Sequence, residues 1–161
     1  MTSSPISVRP LDITADIAWA EGLLDKEFAG RLQARRGELV DVLAAPGLVA
    51  ERDSELVGLA TYDLGDECEL AVLVAVRRSH GVGTALLEAL CEMARPRPIW
   101  VVTTNDNLTA LRFYQRRGFR LRELRPGAVD DARRALKLAI GRTGESGIPI
   151  RDELELVLDT A

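Results

Sequence analysis

The sequence predicts one domain of mixed α/β class. Its 161 residues are 47% hydrophobic and 29% charged, the size and composition of a single globular domain with a hydrophobic core. Leu70 to Val76 is a continuous aliphatic run, typical of a strand that is buried on both faces of a sheet. Apolar residues then recur at helical spacing from Ala85 to Met93, which predicts an amphipathic helix directly after that strand.

The amino-terminal part predicts one strand followed by two helices. Ile6 to Leu11 has the composition of a first strand. Asp12 or Thr14 is expected to be the N-cap of a helix, because both side chains accept hydrogen bonds from the amides of a first helical turn. A second helix is expected over residues 31–43, since the sequence Ala45-Pro46-Gly47 would end it.

Two acidic residues stand at the entry of the central strand. A hairpin of two strands, Leu48 to Glu51 and Val57 to Leu64, is expected just before it. Glu67 and Glu69 share a face of the strand, since side chains alternate along it. Two like charges on one face are unfavourable unless a cation or a proton lies between them. The pair is therefore a candidate general base or amine-binding site.

In the second half of the chain, predicted strands and helices continue to alternate. Ile99 to Thr104 predicts another buried strand, a helix is expected from Leu108 to Gly118, and Phe119 to Arg125 predicts the next strand. Residues 105–107, Asn-Asp-Asn, follow the buried strand at the edge where α/β sheets generally bind ligands. Capping of the following helix is their alternative role.

Residues 126–149 form an insertion before the final strand. A helix is expected over Val129 to Ile140, followed by a glycine-rich loop at 141–147. The basic face of that helix carries Arg133, Arg134 and Lys137. The final strand is expected from Ile148 to Leu158.

The junction from Val74 to Thr84 has the features of an anion site. Gly81 and Gly83 let the backbone bend tightly and approach a ligand closely. The amides of the first helical turn have no intrahelical partner, and the positive end of the helix dipole lies beside them. Arg77 and Arg78 add two full charges.

Two motifs resemble those of the GNAT family, the Gcn5-related N-acetyltransferases. Arg78-x-x-Gly81-x-Gly83 resembles the acyl-CoA signature of the family. Asn107-x-x-Ala110-x-x-x-Tyr114-x-x-x-Gly118-Phe119, one helix and one strand later, resembles its second motif. The resemblance implies a mixed, largely antiparallel central sheet flanked by helices, with a splayed central strand pair that binds acyl-CoA. It also implies transfer of an acetyl group from acetyl-CoA to an amine.

The resemblance gives individual residues roles. The backbone of Val74 and Val76 would pair with the pantetheine arm, and Tyr114 would be the general acid that protonates the departing thiolate. Glu69 is the first candidate for the general base and Glu67 the second. The set expected to contact acetyl-CoA is Val74, Val76, Arg77, Arg78, Ser79, His80, Gly81, Val82, Gly83, Thr84, Asn107, Ala110 and Tyr114.

The acceptor is expected to be a small-molecule amine. A protein α-amine or lysine is the second hypothesis, and an acyl-CoA-binding module without turnover is the third. Asp106 and Asp152 are the candidate substrate contacts. Asp152 interrupts an aliphatic face of the final strand, so it needs a partner. It either pairs with Arg120 or Arg122, or joins Glu67 and Glu69 in an acidic pocket for a cationic acceptor.

Charge and composition exclude several other classes. The net charge of −4 and the pI near 5.1 argue against a nucleic-acid binder. No signal sequence and no apolar run of bilayer length is present, so a cytoplasmic protein is expected. Cys68 and Cys91 are isolated and His80 is the one histidine, so a Cys/His zinc site is not expected. A homodimer is left open.

Overall fold

The computed structural model describes residues 3–78, 80–136 and 139–161. Ser79 lies outside these ranges. So do residues 137 and 138 of the helix expected over Val129 to Ile140. The described helices and strands, in chain order, are β1 (Ser7–Pro10), α1 (Ile17–Phe28), β2 (Leu32–Arg35), β3 (Glu38–Asp41), β4 (Gly47–Arg52), β5 (Glu55–Leu64), β6 (Cys68–Ala75), α2 (Val82–Ala94), β7 (Ile99–Thr104), α3 (Leu108–Arg116), β8 (Arg120–Arg125), α4 (Ala128–Ala135) and β9 (Glu153–Leu158).

Seven strands form one sheet in the order β1-β4-β5-β6-β7-β9-β8. All of its neighbouring pairs are antiparallel except β6 and β7. One core contains Leu86 and Leu90 of α2, and a second contains Leu24 of α1. Helices therefore cover both faces, and the expected mixed, largely antiparallel sheet is confirmed.

The two parallel strands separate after a short contact. β6 and β7 pair only at Cys68 with Ile99 and at Glu69 with Trp100 in the described structure, although both strands continue. β6 carries an extra residue, Ala71, between the positions that pair with Tyr62 and Thr61 of β5. Such a bulge bends and twists a strand. The strand pair is therefore splayed, as the motif resemblance implies.

The bulge also changes which face of the sheet β6 supplies. Leu70, before the bulge, packs in the core of α2, whereas Val72 and Val74, after it, pack in the core of α1. An unbroken strand would keep alternate residues on one face. One strand thus contributes buried side chains to both cores, which is why its sequence is aliphatic without alternation.

The second helix expected near the amino terminus is a hairpin. Residues 31–43 contain β2 and β3, which pair antiparallel and are joined by Arg36 and Gly37. Both joining residues have positive φ, 53° and 79°. Two positive φ values are what a two-residue hairpin turn of right-handed twist requires, and Gly37 supplies one of them without strain. The expectation of a helix here is wrong.

The carboxyl-terminal elements are shorter than expected. α4 ends at Ala135, and the final strand begins at Glu153 and not at Ile148. Arg133 is buried and not part of an exposed basic face, because its guanidinium donates to the carbonyls of Ile140, Gly141 and Ile150. That side chain holds the loop after α4 against Ile150, in the segment before β9.

No described helix is long and apolar enough to cross a bilayer.

Candidate active site

A cavity of about 470 Å³ opens where β6 and β7 separate. Its wall combines the end of α1, the hairpin strand β2, the two splayed strands, α3, α4 and the segment before β9. The lining includes Phe28, Arg35, Ala71, Leu73, Val101, Thr103, Asn107, Ala110, Tyr114, Ala128, Val129, Ile140, Ile150 and Glu153. Most of these side chains are apolar, so the few polar ones decide what the cavity can orient.

The candidate anion site is the start of α2. Gly81 is the N-cap in a left-handed conformation, with φ of 79°, and no side chain of the described residues caps the helix. The first-turn amides are therefore left for a ligand. Arg77, Arg78 and His80 are exposed beside them. The expected contact by Ser79 falls outside the described residues.

The first turn of α2 is fixed from both sides. Val82 is buried in the core, and Thr84 Oγ1 accepts hydrogen bonds from Nε and Nη2 of Arg117 at 3.1 and 2.7 Å. The guanidinium of Arg117 stacks over the ring of Phe113, 3.7 Å from its centroid. Thr84 thus ties α2 to α3, which sets the spacing between the two motifs.

The backbone groups that face the cleft differ from the expected ones by one residue. Val76 donates its amide to Val57 of β5 at 2.8 Å, so that amide cannot pair with a ligand. Because backbone groups alternate along a strand, Val74 also directs its groups to β5, and Leu73 and Ala75 direct theirs to the open side. The bulge at Ala71 causes this offset, since it shifts the alternation.

Residues of the second motif border the cavity. Asn107 is the N-cap of α3, its Oδ1 accepts from the amide of Ala110 at 3.1 Å, and both residues line the cavity. Asp106 is different. It is buried, its carboxylate accepts from Thr104 Oγ1 at 2.5 Å, and the backbone of Gly144 lies against it. Asp106 is not among the residues of the cavity wall.

Tyr114 lies on the cavity wall in an aromatic cluster. Its ring meets those of Phe113 and Phe119 edge to face, with centroids 5.3 and 5.1 Å apart. The side chain is 6% exposed. Burial raises the pKa of Tyr114 well above its ordinary value, because a phenolate loses its hydration there. The hydroxyl is therefore a neutral proton donor over the whole range in which proteins are assayed.

Each of the two glutamates at the start of β6 has an arginine partner. Glu69 accepts from Arg35 Nε, and Glu67 accepts from Arg122 Nη1 at 2.7 Å. The cation required beside two like charges is thus supplied by the protein itself. Glu69 and Glu67 are not among the residues that line the cavity, whereas Arg35 is.

Two buried glutamates of β9 went unnoticed in the sequence. Glu153 and Glu155 are 5% and 2% exposed. Glu153 accepts from the backbone amide of Arg36 at 2.9 Å and lines the cavity. Glu155 accepts from Arg122 Nε at 2.8 Å and lies near Arg36 and Arg125. The available signal was the excess of arginines in β8, which carries three arginines and one glutamate.

Asp152 has a structural contact. Its carboxylate accepts from the amide of Gly127 at 2.8 Å, directly before α4. Its backbone amide donates to Asn105 Oδ1 at 3.0 Å. The expected partner Arg122 is bound to Glu67 and Glu155. Asp152 does not border the cavity, so the cavity wall is not the acidic one that Asp152, Glu67 and Glu69 would together have made.

Comparisons with known proteins agree with this geometry. Residues 16–119 match the acetyltransferase (GNAT) family. The chain belongs to the GNAT family. Two uncharacterised Bacillus subtilis proteins resemble this GNAT chain: YxbD is 48% identical over 109 residues, which cover 65% of the chain and 68% of YxbD, and YdhI is 42% identical over 113 residues, which cover 67% and 70%.

The fold of this GNAT protein also has solved counterparts. A GNAT acetyltransferase from Elizabethkingia anophelis, with acetyl-CoA bound, superposes with a TM-score of 0.74 at 19% identity, over 96% of this chain and 97% of that one. The expected family, fold class and acetyltransferase activity are therefore confirmed.

Within the described residues, no group of three or more His, Cys, Asp or Glu side chains is arranged to hold a metal ion.

Proposed function

We propose that the protein is an N-acetyltransferase that transfers the acetyl group of acetyl-CoA to the amine of a small molecule by direct attack. The observation that carries this proposal is the cavity in the splay of β6 and β7, with Tyr114 and Asn107 on one side and Arg35 on another. Its wall is mostly apolar, and α3, which borders it, is joined to the start of α2 by the hydrogen bonds from Arg117 to Thr84. A thioester arm and an amine can meet there.

The residues at the splay fit acetyl-CoA. The uncapped start of α2 and the exposed Arg77 and Arg78 would hold its pyrophosphate, and Leu73 and Ala75 would present backbone groups to its pantetheine arm. The solved GNAT relative with acetyl-CoA bound supports the same choice. When bound, acetyl-CoA supplies an activated thioester carbonyl with a thiolate leaving group.

The size of the cavity favours a small acceptor. Its volume of about 470 Å³ must hold the end of the pantetheine arm as well as the acceptor. Ala128 and Val129 of α4, with Ile140 after it, close one side. This wall is made by the insertion at 126–149, which we propose is part of the acetyltransferase domain and shapes its acceptor chamber. An extended peptide would need this wall to be open.

Tyr114 is the proposed general acid. Tyr114 lines the cavity, and its hydroxyl stays protonated because burial raises its pKa. A thiolate in the same dry cavity is also poorly solvated, so proton transfer from the tyrosine relieves one buried charge as it creates another. Tyr114 can therefore donate its proton to the leaving sulfur without a net change in buried charge.

The proton of the amine must pass to a carboxylate or to water. Glu69 and Glu67, the expected bases, are engaged by Arg35 and Arg122. Glu27 and Glu153 border the cavity directly, and Glu27 is exposed. We therefore add these two to the candidates. The pH dependence of kcat/KM in Glu27→Gln, Glu69→Gln and Glu153→Gln distinguishes them, since loss of the base removes the acidic limb of the profile.

A panel of amines tests the function. Release of free thiol from acetyl-CoA is measured with amino acids, amino acid amides, alkyl amines, diamines and amino sugars, and with peptides that have a free amino terminus or a lysine. Mass spectrometry then identifies the acetylated product. Acetylation of a small amine supports the proposal, and acetylation of peptides alone would replace it by the protein-acetyltransferase hypothesis. Tight binding of acetyl-CoA with no product from any amine would favour the non-catalytic module.

A further inference from the structure

Arg35 is the cation of the cavity wall. Of the described residues that line the cavity, it alone carries a positive charge. It is the last residue of β2, and its side chain is 11% exposed. An arginine held in an apolar wall presents a planar set of N–H donors in a fixed orientation.

The protein does not use all of these donors. Nε donates to Glu69, whereas Nη1 is buried without a hydrogen-bond partner among the described residues. A buried donor left without an acceptor is unfavourable, and native structures rarely keep one without a reason. The guanidinium is therefore fixed by Glu69 through Nε, and one of its nitrogens, Nη1, has no acceptor among the described residues.

The neighbouring carboxylates are already committed. Glu67 binds Arg122, and Glu155 lies against Arg36, Arg122 and Arg125. Glu153 accepts from the amide of Arg36, and its other oxygen lies 3.8 Å from Arg125 Nε. Each acidic group of this cluster has its own basic partners. None of these contacts gives a second acceptor to Arg35.

We propose that Arg35 binds an oxygen of the acceptor, so that the acceptors of this enzyme are small amino acids or amino acid amides with an apolar side chain. The inference rests on the proposed function. The carboxylate or carboxamide oxygen accepts from the guanidinium on β2, the apolar side chain occupies the aliphatic part of the cavity, and the amine is left to face the α3 wall with Tyr114. This reverses the preference for cationic acceptors that an acidic pocket would have produced.

A matched series of substrates tests this selectivity. Leucine, leucinamide and 3-methylbutylamine have the same alkyl group and differ in the oxygen-bearing group. We expect kcat/KM of the wild type, calculated for the unprotonated amine, to be about 10- to 100-fold higher for the first two, the range of a hydrogen bond to a charged group. A higher value for leucine than for leucinamide identifies the carboxylate as the recognised group, and equal values identify the carbonyl oxygen.

Variants of Arg35 test the assignment to this residue. Arg35→Met together with Glu69→Gln removes both charges of the pair, so that no buried carboxylate is left alone. The preference for leucine over 3-methylbutylamine should disappear in this double variant. Arg36→Lys is the control on the same hairpin, because Arg36 stacks on Trp100 and does not line the cavity. It should keep the preference. Retention of the preference in the double variant would overturn the assignment.

A binding measurement separates this inference from the proposed function. Calorimetry with N-acetylleucine and N-acetyl-3-methylbutylamine, in the presence of CoA, does not require turnover. We expect N-acetylleucine to bind at least about tenfold more tightly in the wild type, and equally in the double variant. If all three amines are acetylated at equal kcat/KM, the function stands and the inference is wrong. If no amine is acetylated but N-acetylleucine binds through Arg35, the inference stands and the proposed function is wrong. If N-acetylleucine has no advantage in binding, the inference is wrong.

Discussion

Arg35 of β2 and Glu69 of β6 form an ion pair in which both side chains are 11% exposed. The pair attaches the β2–β3 hairpin to β6, at the position from which β6 and β7 separate. Arg36, the next residue, donates its amide to Glu153 and stacks on Trp100 with its guanidinium 4.6 Å from the ring centroid. The hairpin is therefore held on the sheet by two successive arginines, and one of them also reaches the cavity.

Glu69→Gln should destabilise the protein, because it leaves the Arg35 charge in a nearly buried position without its counter-ion. We expect the free energy of unfolding to fall by about 2–4 kcal/mol, measured by urea denaturation. Glu51→Gln is the control, since Glu51 pairs with Arg9 at a half-exposed site where the loss should be below about 1 kcal/mol. Equal losses in the two variants would mean that the Arg35–Glu69 pair stabilises the protein no more than a half-exposed ion pair does.

The same residue can be tested as the general base. If Glu69 is the direct base, kcat should stay low in the double variant Arg35→Met, Glu69→Gln.

The parts of the fold that the sequence could predict are those with local signals. The strand expected over Ile99 to Thr104 has those bounds in the structure, and the helix after Gly81 is present. Both depend on short-range periodicity and on turn residues. The second motif borders the cavity, and the helices that carry the two motifs are joined by Arg117 and Thr84.

The hairpin could not be predicted in the same way. Its two strands are four residues each, and its docking contacts join Arg35 to Glu69 and Arg36 to Glu153, at sequence separations of 34 and 117 residues. The hydrophobic periodicity within residues 31–43 does not indicate contacts with such distant parts of the chain. The same reason applies to Glu155, which is buried by arginines of other elements. In β9, acidic and aliphatic residues alternate, which is typical of a strand with one face exposed to solvent. The arginines that bury the acidic face belong to elements distant in sequence.

Gly83→Glu should abolish binding of acetyl-CoA. A Cβ at this position would lie 3.1 Å from two ring atoms of Phe113, and the carboxylate would face the anion site at the start of α2. Isothermal titration calorimetry with CoA measures the effect. Gly22→Glu is the control, because Gly22 lies on the exposed part of α1 with no atom within 4 Å of its Cβ position. Undiminished CoA binding by a folded Gly83→Glu variant would remove α2 from the site.

Tyr114→Phe should lower kcat by roughly 10- to 1000-fold while the affinity for acetyl-CoA stays nearly constant, because the proton donor is lost and the ring still packs on Phe113 and Phe119. Pre-steady-state thiol release gives the chemical step, and calorimetry gives the affinity. Since burial raises the pKa of Tyr114, its deprotonation should cause no loss of rate below about pH 10. Equal rates of the chemical step in the two proteins would exclude Tyr114 as the acid.

Stability should fall at alkaline pH in part through Cys68. The thiol is fully buried in the core, and burial raises its pKa to about 11. In the unfolded chain the thiol loses its proton near pH 8.5, so between about pH 8.5 and 11 the folded state binds more protons and the free energy of unfolding decreases as pH rises. The contribution of Cys68 is fully present below that range, and its slope approaches about 1.4 kcal/mol per pH unit. Urea midpoints should show a shallower decline in Cys68→Ala, and an unchanged slope would mean that the thiol titrates alike in both states.

Asp152→Ala should cost stability and leave acceptor selectivity unchanged. The carboxylate accepts from the Gly127 amide at 2.8 Å and is absent from the cavity wall, so its loss exposes one unsatisfied donor at the start of α4. We expect a decrease of about 1 kcal/mol in the free energy of unfolding. Asp152→Asn keeps an acceptor oxygen in the same place and should be less affected. Kinetics with 3-methylbutylamine and 1,4-diaminobutane provide the comparison of neutral and cationic acceptor ends. A selective rise of KM for the diamine in both variants would instead give Asp152 the substrate role that its position on the final strand first suggested.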